Sequence, residues 1–242
     1  MWTTLRIGVV AGCGALLAVV VATGQATKTA AEVEAAQRAA LRQGGLRAAA
    51  AVTGSFAEVN NFGDEGGPTS LESMARASDA ILVGRVVSNH SVLPPAGRYI
   101  KTEYRVRVEE ALRGRPERRD RDTVTISMMG GRVSFPDGSI AQQSVRNTNP
   151  PLDGHRYLFF LIDAKPESKI GPQAIEVPEA DFWPLRGSYG VFELPEDGSG
   201  VRPAHTRPHG DGSPSMEYKG LYPESMLLDL RAKIALSDRS RR

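Results

Sequence analysis

The chain carries a single cysteine, Cys13, and none after it. A disulfide framework, a cysteine-based zinc site and a thiol nucleophile are therefore excluded from everything downstream. Aromatic residues make up only 6% of the 242 residues. That is too few to fill a core and also to line an exposed face on which unpaired bases would stack. Neither sign of charge dominates, because 30 Lys and Arg against 28 Asp and Glu leave a net charge of +2. No overall field toward nucleic acid or a membrane surface follows from that balance. The paired glycines Gly66-Gly67 and Gly130-Gly131 sit in turn contexts and form neither a P-loop nor a dinucleotide fingerprint. No internal repeat is evident. Turn formers are plentiful, with 25 Gly and 16 Pro, and they cut the chain into short elements.

One long apolar run exists, and it lies at the N-terminus. Arg6 precedes Ile7–Ala22, an uncharged stretch that ends in the small residues Ala22, Thr23 and Gly24. This is the plan of a secretory signal, with cleavage after Gly24 or Ala26 fitting the small-residue rule. An uncleaved anchor is the other reading, and the run is just short of the ~20 apolar residues a span needs. Under both readings Arg6 keeps the N-terminus inside and sends the rest outside. The sequence thus predicts a signal peptide or membrane-crossing helix over 1–26 and an extracytoplasmic protein, secreted or anchored to the cell membrane by that helix. Val10-Ala11-Gly12-Cys13 has the look of a lipidation box. It leaves only Ile7–Gly12 as an apolar region and Leu16–Val21 unexplained, so Cys13 reads as a small apolar residue within the run.

Residues 27–69 read as an Ala-rich helical stalk followed by a linker. Strong helix formers fill its first part, and Glu34 and Arg38 form an i,i+4 pair in the favourable order. The apolar face is mostly alanine, so little burial is expected. Residues 70–201 read as a β domain opened by a short helix that Thr69 or Ser70 would cap. Ile81–Val87 is an apolar first strand whose Gly84 signals a bulge or a close backbone approach. The cleanest alternation runs from Tyr99 to Gly114. Ile100, Thr102, Tyr104, Val106 and Val108 alternate with Lys101, Glu103, Arg105, Arg107 and Glu109. Period two predicts a strand with one face on a core and one in water. Val124, Ile126 and Met128 repeat the pattern. His155–Ile162 is the most apolar strand and is expected to be central. Residues 202–220 read as a flexible Pro-, Gly- and His-rich loop, and 221–242 as a C-terminal helix with a basic tail.

These short words resemble a known layout. Val83-Gly84-Arg85-Val86, then Tyr104-Arg-Val-Arg-Val-Glu-Glu-Ala-Leu-Arg-Gly114, then Gly154-His-Arg-Tyr-Leu-Phe-Phe-Leu161 are similar to exported bacterial domains related to the netrin/tissue-inhibitor-type OB barrel. The resemblance covers about Ser70–Leu194. It implies a mainly β fold: a small antiparallel OB-like barrel of five or six strands with flanking helices, preceded by the N-terminal membrane-crossing helix. Eukaryotic members use cysteines, one of which chelates a protease metal. This chain has none there, so the fold alone is implied.

Candidate chemistry is sparse. His205 and His209 have a His-x3-His spacing, but Pro203, Pro208 and Gly210 forbid the helix that would align them on a metal. His155 follows Asp153 at the start of the central strand, which reads as turn capping in the absence of a positioned serine. His90 sits after the first strand in a solvated loop. Arg113, Arg115, Arg118, Arg119 and Arg121 interleave with Glu117, Asp120 and Asp122 and read as a solvated face. Glu179 and Asp181 are loop acids without a visible partner. No catalytic, cofactor-binding or metal-binding residue is assigned, and no cofactor is implied. The expected function is a non-enzymatic binding or interaction module, with an envelope or extracellular protein as partner, the membrane reached through the N-terminal helix, and no nucleic acid. Two alternatives stand beside it: an envelope hydrolase built from His155 and loop acids, and an inhibitor or accessory protein acting through the barrel edge.

Overall fold

The computed structural model describes residues 28–60, 70–114, 122–164, 180–206 and 219–239. Its centre is a long strand, β2 (Ala80–Val92), which pairs antiparallel with β3 (Lys101–Arg113) and with β7 (Arg156–Asp163). β3 pairs antiparallel with β4 (Thr123–Met129). β8 (Phe182–Pro184) then joins β4 in parallel and β7 in antiparallel. The ring β2-β3-β4-β8-β7 returns to β2 and closes a five-stranded barrel. In order along the chain its strands follow one another around the ring as first, second, third, fifth and fourth, the Greek-key arrangement of an OB-like barrel. β9 (Val191–Glu193) and β10 (Arg202–Pro203) extend the sheet outward from β7.

Closure demands bending, and β2 supplies it. Its register with β3 shifts at three places, between Ile81 and Leu82, Val83 and Gly84, and Val86 and Ser88. Gly84 is the residue at which the backbones come together. A Cβ there would lie 2.6 Å from Val106 Cγ1 and 2.7 Å from the Arg107 carbonyl oxygen, so no side chain fits. The bulge and the close approach expected at this glycine are both present.

Alternation sorts the strands into an inner and an outer face. Leu82, Val86, Tyr104, Val106, Val124, Ile126, Tyr157, Phe159 and Leu161 fill the barrel interior. Ile81, Val83, Leu158 and Phe160 point outward, where α2 (Leu71–Ala77) and α3 (Pro223–Arg239) cover them with Leu71, Met74, Met226, Leu227 and Leu230. β7 is therefore buried on both faces, as its continuous apolar run requires. Each such side chain taken from water contributes about 1.5–3 kcal/mol. Ser70 caps α2, its hydroxyl accepting the Ser73 amide.

A second layer comes from the N-terminal part. α1 (Ala30–Ala51) starts at a Thr29/Glu32 capping box and kinks at Gly45, whose φ is 72°. There the Leu46 amide donates to the Gly97 carbonyl at 2.8 Å. β1 (Ser55–Asn60) runs parallel to β6 (Ile140–Val145), which pairs antiparallel with β5 (Gly131–Ser134). The end of α1 lays Leu46 and Ala50 against Ile100, Ala141 and Phe56.

Several expectations are corrected here. The last turns of the Ala-rich helix are packed, because the Gly45 kink turns Leu46, Ala49 and Ala50 inward. The segment read as linker contains β1, which its partner strand far along the chain holds in place. Residues 202–206, read as flexible, are ordered by β10 and by a bridge between Thr148 and His205. Lys101 and Glu103, read as water-facing, are 3% and 7% exposed. The expected membrane-crossing segment 1–26 lies outside the described residues. No described helix is long and apolar enough to cross a membrane.

Phe159 lies fully buried within the barrel, so Phe159→Ala is expected to cost about 3–5 kcal/mol. Urea unfolding would show this as a lower midpoint at unchanged slope. Val59→Ala, at a site 63% exposed, is the control and should stay within about 0.5 kcal/mol.

Candidate functional site

The barrel interior is filled by the side chains of its own core, so polar chemistry lies outside it. Among the described residues a cleft of about 250 Å³ is lined in part by Arg85, Arg156, Arg202, His155, Glu193 and Glu196. It forms where β7 ends against β2. Beyond Arg85 the turn before β7 takes over the pairing: the Val86 amide donates to the His155 carbonyl at 3.0 Å, and the Gly154 amide to the Val86 carbonyl at 2.8 Å.

Within the cleft the charges are linked. Glu109 on β3 bridges two arginines, with its Oε1 3.3 Å from Arg85 Nε and its Oε2 2.8 Å from Arg156 Nε. The terminal nitrogens of Arg85 donate to both oxygens of Glu196, at 2.5 and 3.2 Å, and to the Gly154 carbonyl at 2.8 Å. That fork-to-fork contact holds the Glu196 carboxyl below its ordinary range and raises the Arg85 guanidinium. Arg156 Nη1 lies 3.6 Å from Glu224 at the start of α3. His155 Nδ1 is 2.8 Å from Glu193 Oε1, and Arg202 lies 3.7 Å from the same carboxylate. Asp197 is also held low, by hydrogen bonds from the hydroxyl and amide of Ser199.

His155 therefore does meet an acid, but the partner is Glu193 rather than the neighbouring Asp153. Asp153 accepts from Asn89 Nδ2 at 2.8 Å instead. His90 sits 3.2 Å from Glu103, whose other oxygen holds Lys101 Nζ at 2.5 Å. Ser127, directly across from Glu103 in the β3–β4 register, is also fully buried. Asp181 has a partner after all: its carboxylate accepts the Thr125 amide at 2.8 Å and ties β8 to β4. His205 is buried, stacks on Tyr189 at 3.8 Å and lies 3.3 Å from the Ser188 hydroxyl. Its expected companion His209 lies outside the described residues, as do Glu179 and Arg115, Arg118, Arg119 and Arg121. Arg113 is described and donates to the Ala75 carbonyl. Among the described residues no group of three or more His, Cys, Asp or Glu converges as a metal site.

Arg85, Glu109, Arg156, Glu193, Glu196 and Arg202 were not singled out by sequence reasoning. One signal was available: Arg85 interrupts the apolar run Ile81–Val87, and a charge within a buried strand needs a partner.

No protein-family model matches the chain, and no curated protein matches it. The solution structure of the OB domain of Ta0387 from Thermoplasma acidophilum is similar at 15% identity, over 40% of this chain and 95% of that one, with a TM-score of 0.13. The OB-like assignment therefore rests on the strand order and barrel closure seen in this chain.

Glu103→Gln would leave the Lys101 ammonium buried without its counter-charge and is expected to cost about 3–5 kcal/mol, whereas Lys101→Met with Glu103→Leu should recover most of it. Chemical denaturation of both variants checks this. Burial pushes the phenols of Tyr104 and Tyr157 up to about 12. Their neutral forms stabilise the fold fully below the ordinary tyrosine pKa, and that stability is lost as pH rises through about 12. Phenolate absorbance should show two tyrosines ionising late, together with unfolding.

Proposed function

We propose that the protein is an exported or membrane-anchored binding module that meets its partner through the charged cleft beside β7 and breaks no bond itself. The observation that carries this reading is the division of the fold. The barrel is closed by packed side chains, while the cleft presents fixed charges of both signs on an outer face. Fixed, mutually held charges suit recognition of a complementary surface, since like-charge mismatch excludes wrong partners. The partner in this reading is an envelope or extracellular protein, reached from a membrane held through the segment 1–26, and nucleic acid plays no part.

One observation favours a second reading. The His155–Glu193 contact at 2.8 Å lies in the same cleft as Glu196 and Asp197, the kind of dyad an envelope hydrolase would use as a base.

Two measurements on the full chain separate the readings. A screen against ester, phosphoester and glycoside substrates is expected to give no turnover. Turnover lost in His155→Ala would replace the binding reading with the hydrolase. Affinity capture from envelope extract is expected to recover a stoichiometric partner with the native chain and to lose it with Arg202→Glu.

A further inference from the structure

The strand register places three arginines in one row across the outer barrel face. Arg156 on β7 stands directly opposite Arg85 on β2, and Arg85 stands directly opposite Arg107 on β3. Like charges directly opposite each other destabilise a sheet. Neighbouring strands are about 4.8 Å apart, so the row spans about 10 Å. Against these three cations the sheet itself supplies one carboxylate, Glu109, which takes the Nε atoms of Arg85 and Arg156. The terminal nitrogens of both arginines are thereby left for other partners.

Those partners are open to solvent. Arg85 and Arg156 side chains are 24% and 21% exposed, whereas Glu196 and Glu224 are 61% and 76% exposed. Glu196 belongs to the turn after β9, which carries Gly198 and Gly200, and Glu224 to the first turn of α3. Arg107 is exposed, and among the described residues its side chain makes no hydrogen bond or ion pair; the same holds for the side chain of Arg105 two residues earlier. The row is thus a cationic strip, partly covered by exposed carboxylates of the same chain and without a described side-chain partner at its β3 end.

We propose that this strip is a binding site for paired tetrahedral oxyanions, two linked phosphate or sulfate groups, and that Glu196 competes with the ligand for the fork of Arg85. The proposal rests on the cleft being the recognition face. Guanidinium forks match tetrahedral oxyanions bidentately. Two adjacent groups would bridge Arg156–Arg85 and Arg85–Arg107.

The test is calorimetric titration of the full chain with inorganic pyrophosphate, with inorganic sulfate alongside to separate paired from single oxyanions. Pyrophosphate should bind, and bind more tightly than sulfate. Glu196→Gln should tighten pyrophosphate about tenfold by removing the internal competitor. Arg107→Gln changes an exposed residue whose side chain has no partner among the described residues, so the fold is spared, and it should weaken binding about tenfold or more. No pyrophosphate binding, or binding indifferent to both substitutions, overturns the proposal. Equal affinity for sulfate and pyrophosphate overturns the paired-oxyanion part of it. Failure here with partner capture still lost in Arg202→Glu removes the oxyanion site alone. Capture unaffected by Arg202→Glu removes the cleft reading itself.

Discussion

Everything in the fold hangs on the curvature of β2. A five-stranded barrel closes only if its strands bend and tilt, and β2 must do so while pairing on both sides. Gly84 and the three register shifts supply the bend. The bend then decides where β7 stops following β2. The last paired residues are Arg85 and Arg156, and past them the turn around Gly154 and His155 takes the place of the strand. The cleft opens at this parting, so the constraint that shapes the barrel also places its charged groove.

Closure has a second consequence. Tyr104, Val106, Ile126, Phe159 and Leu161 occupy the interior, and the charged cleft lies on the outer surface. The outer surface is divided by α2 and α3. The helices cover the apolar outward residues of β7 and the start of β2, and they leave the far half of β2 and β3 for charge. Glu110 on β3 and Arg231 on α3 mark the border, joined by a bidentate contact at 2.7 and 3.0 Å.

Much of the barrel was legible because period two is local. Tyr104 and Val106 inside with Arg105 and Arg107 outside follow from alternation. Alternation says which face a side chain takes, but not what lies over that face. Lys101 and Glu103 share the outward face with Arg105 and are nonetheless buried. The order of Arg202–Thr206 was illegible for another reason: it comes from the distant partners Glu193 and Thr148, while composition reports only that the segment is rich in proline and histidine. The cleft was the least legible feature. Its charges come from positions 85, 109, 156, 193, 196 and 202, on four separate pieces of chain, and no spacing rule connects them.

The charge alternation of β3 looked self-sufficient, since Glu103 and Glu109 flank Arg105 and Arg107 along one strand. Register changes its meaning. Neighbours along a strand on one face are two residues apart, whereas the directly opposite residue on the next strand is closer. For Arg107 that closer neighbour is Arg85, and for Arg85 on its other side it is Arg156. Solvation alone has no need to stack three cations in a row. Opposite charges there would keep the same face just as wet and would add cross-strand attraction. The arrangement therefore carries an electrostatic cost that Glu109 offsets for two of the three and that no described carboxylate offsets for Arg107. A face that sets three cations side by side is already half of an anion site, and Glu196 on its glycine-bearing turn shows how a carboxylate is received there.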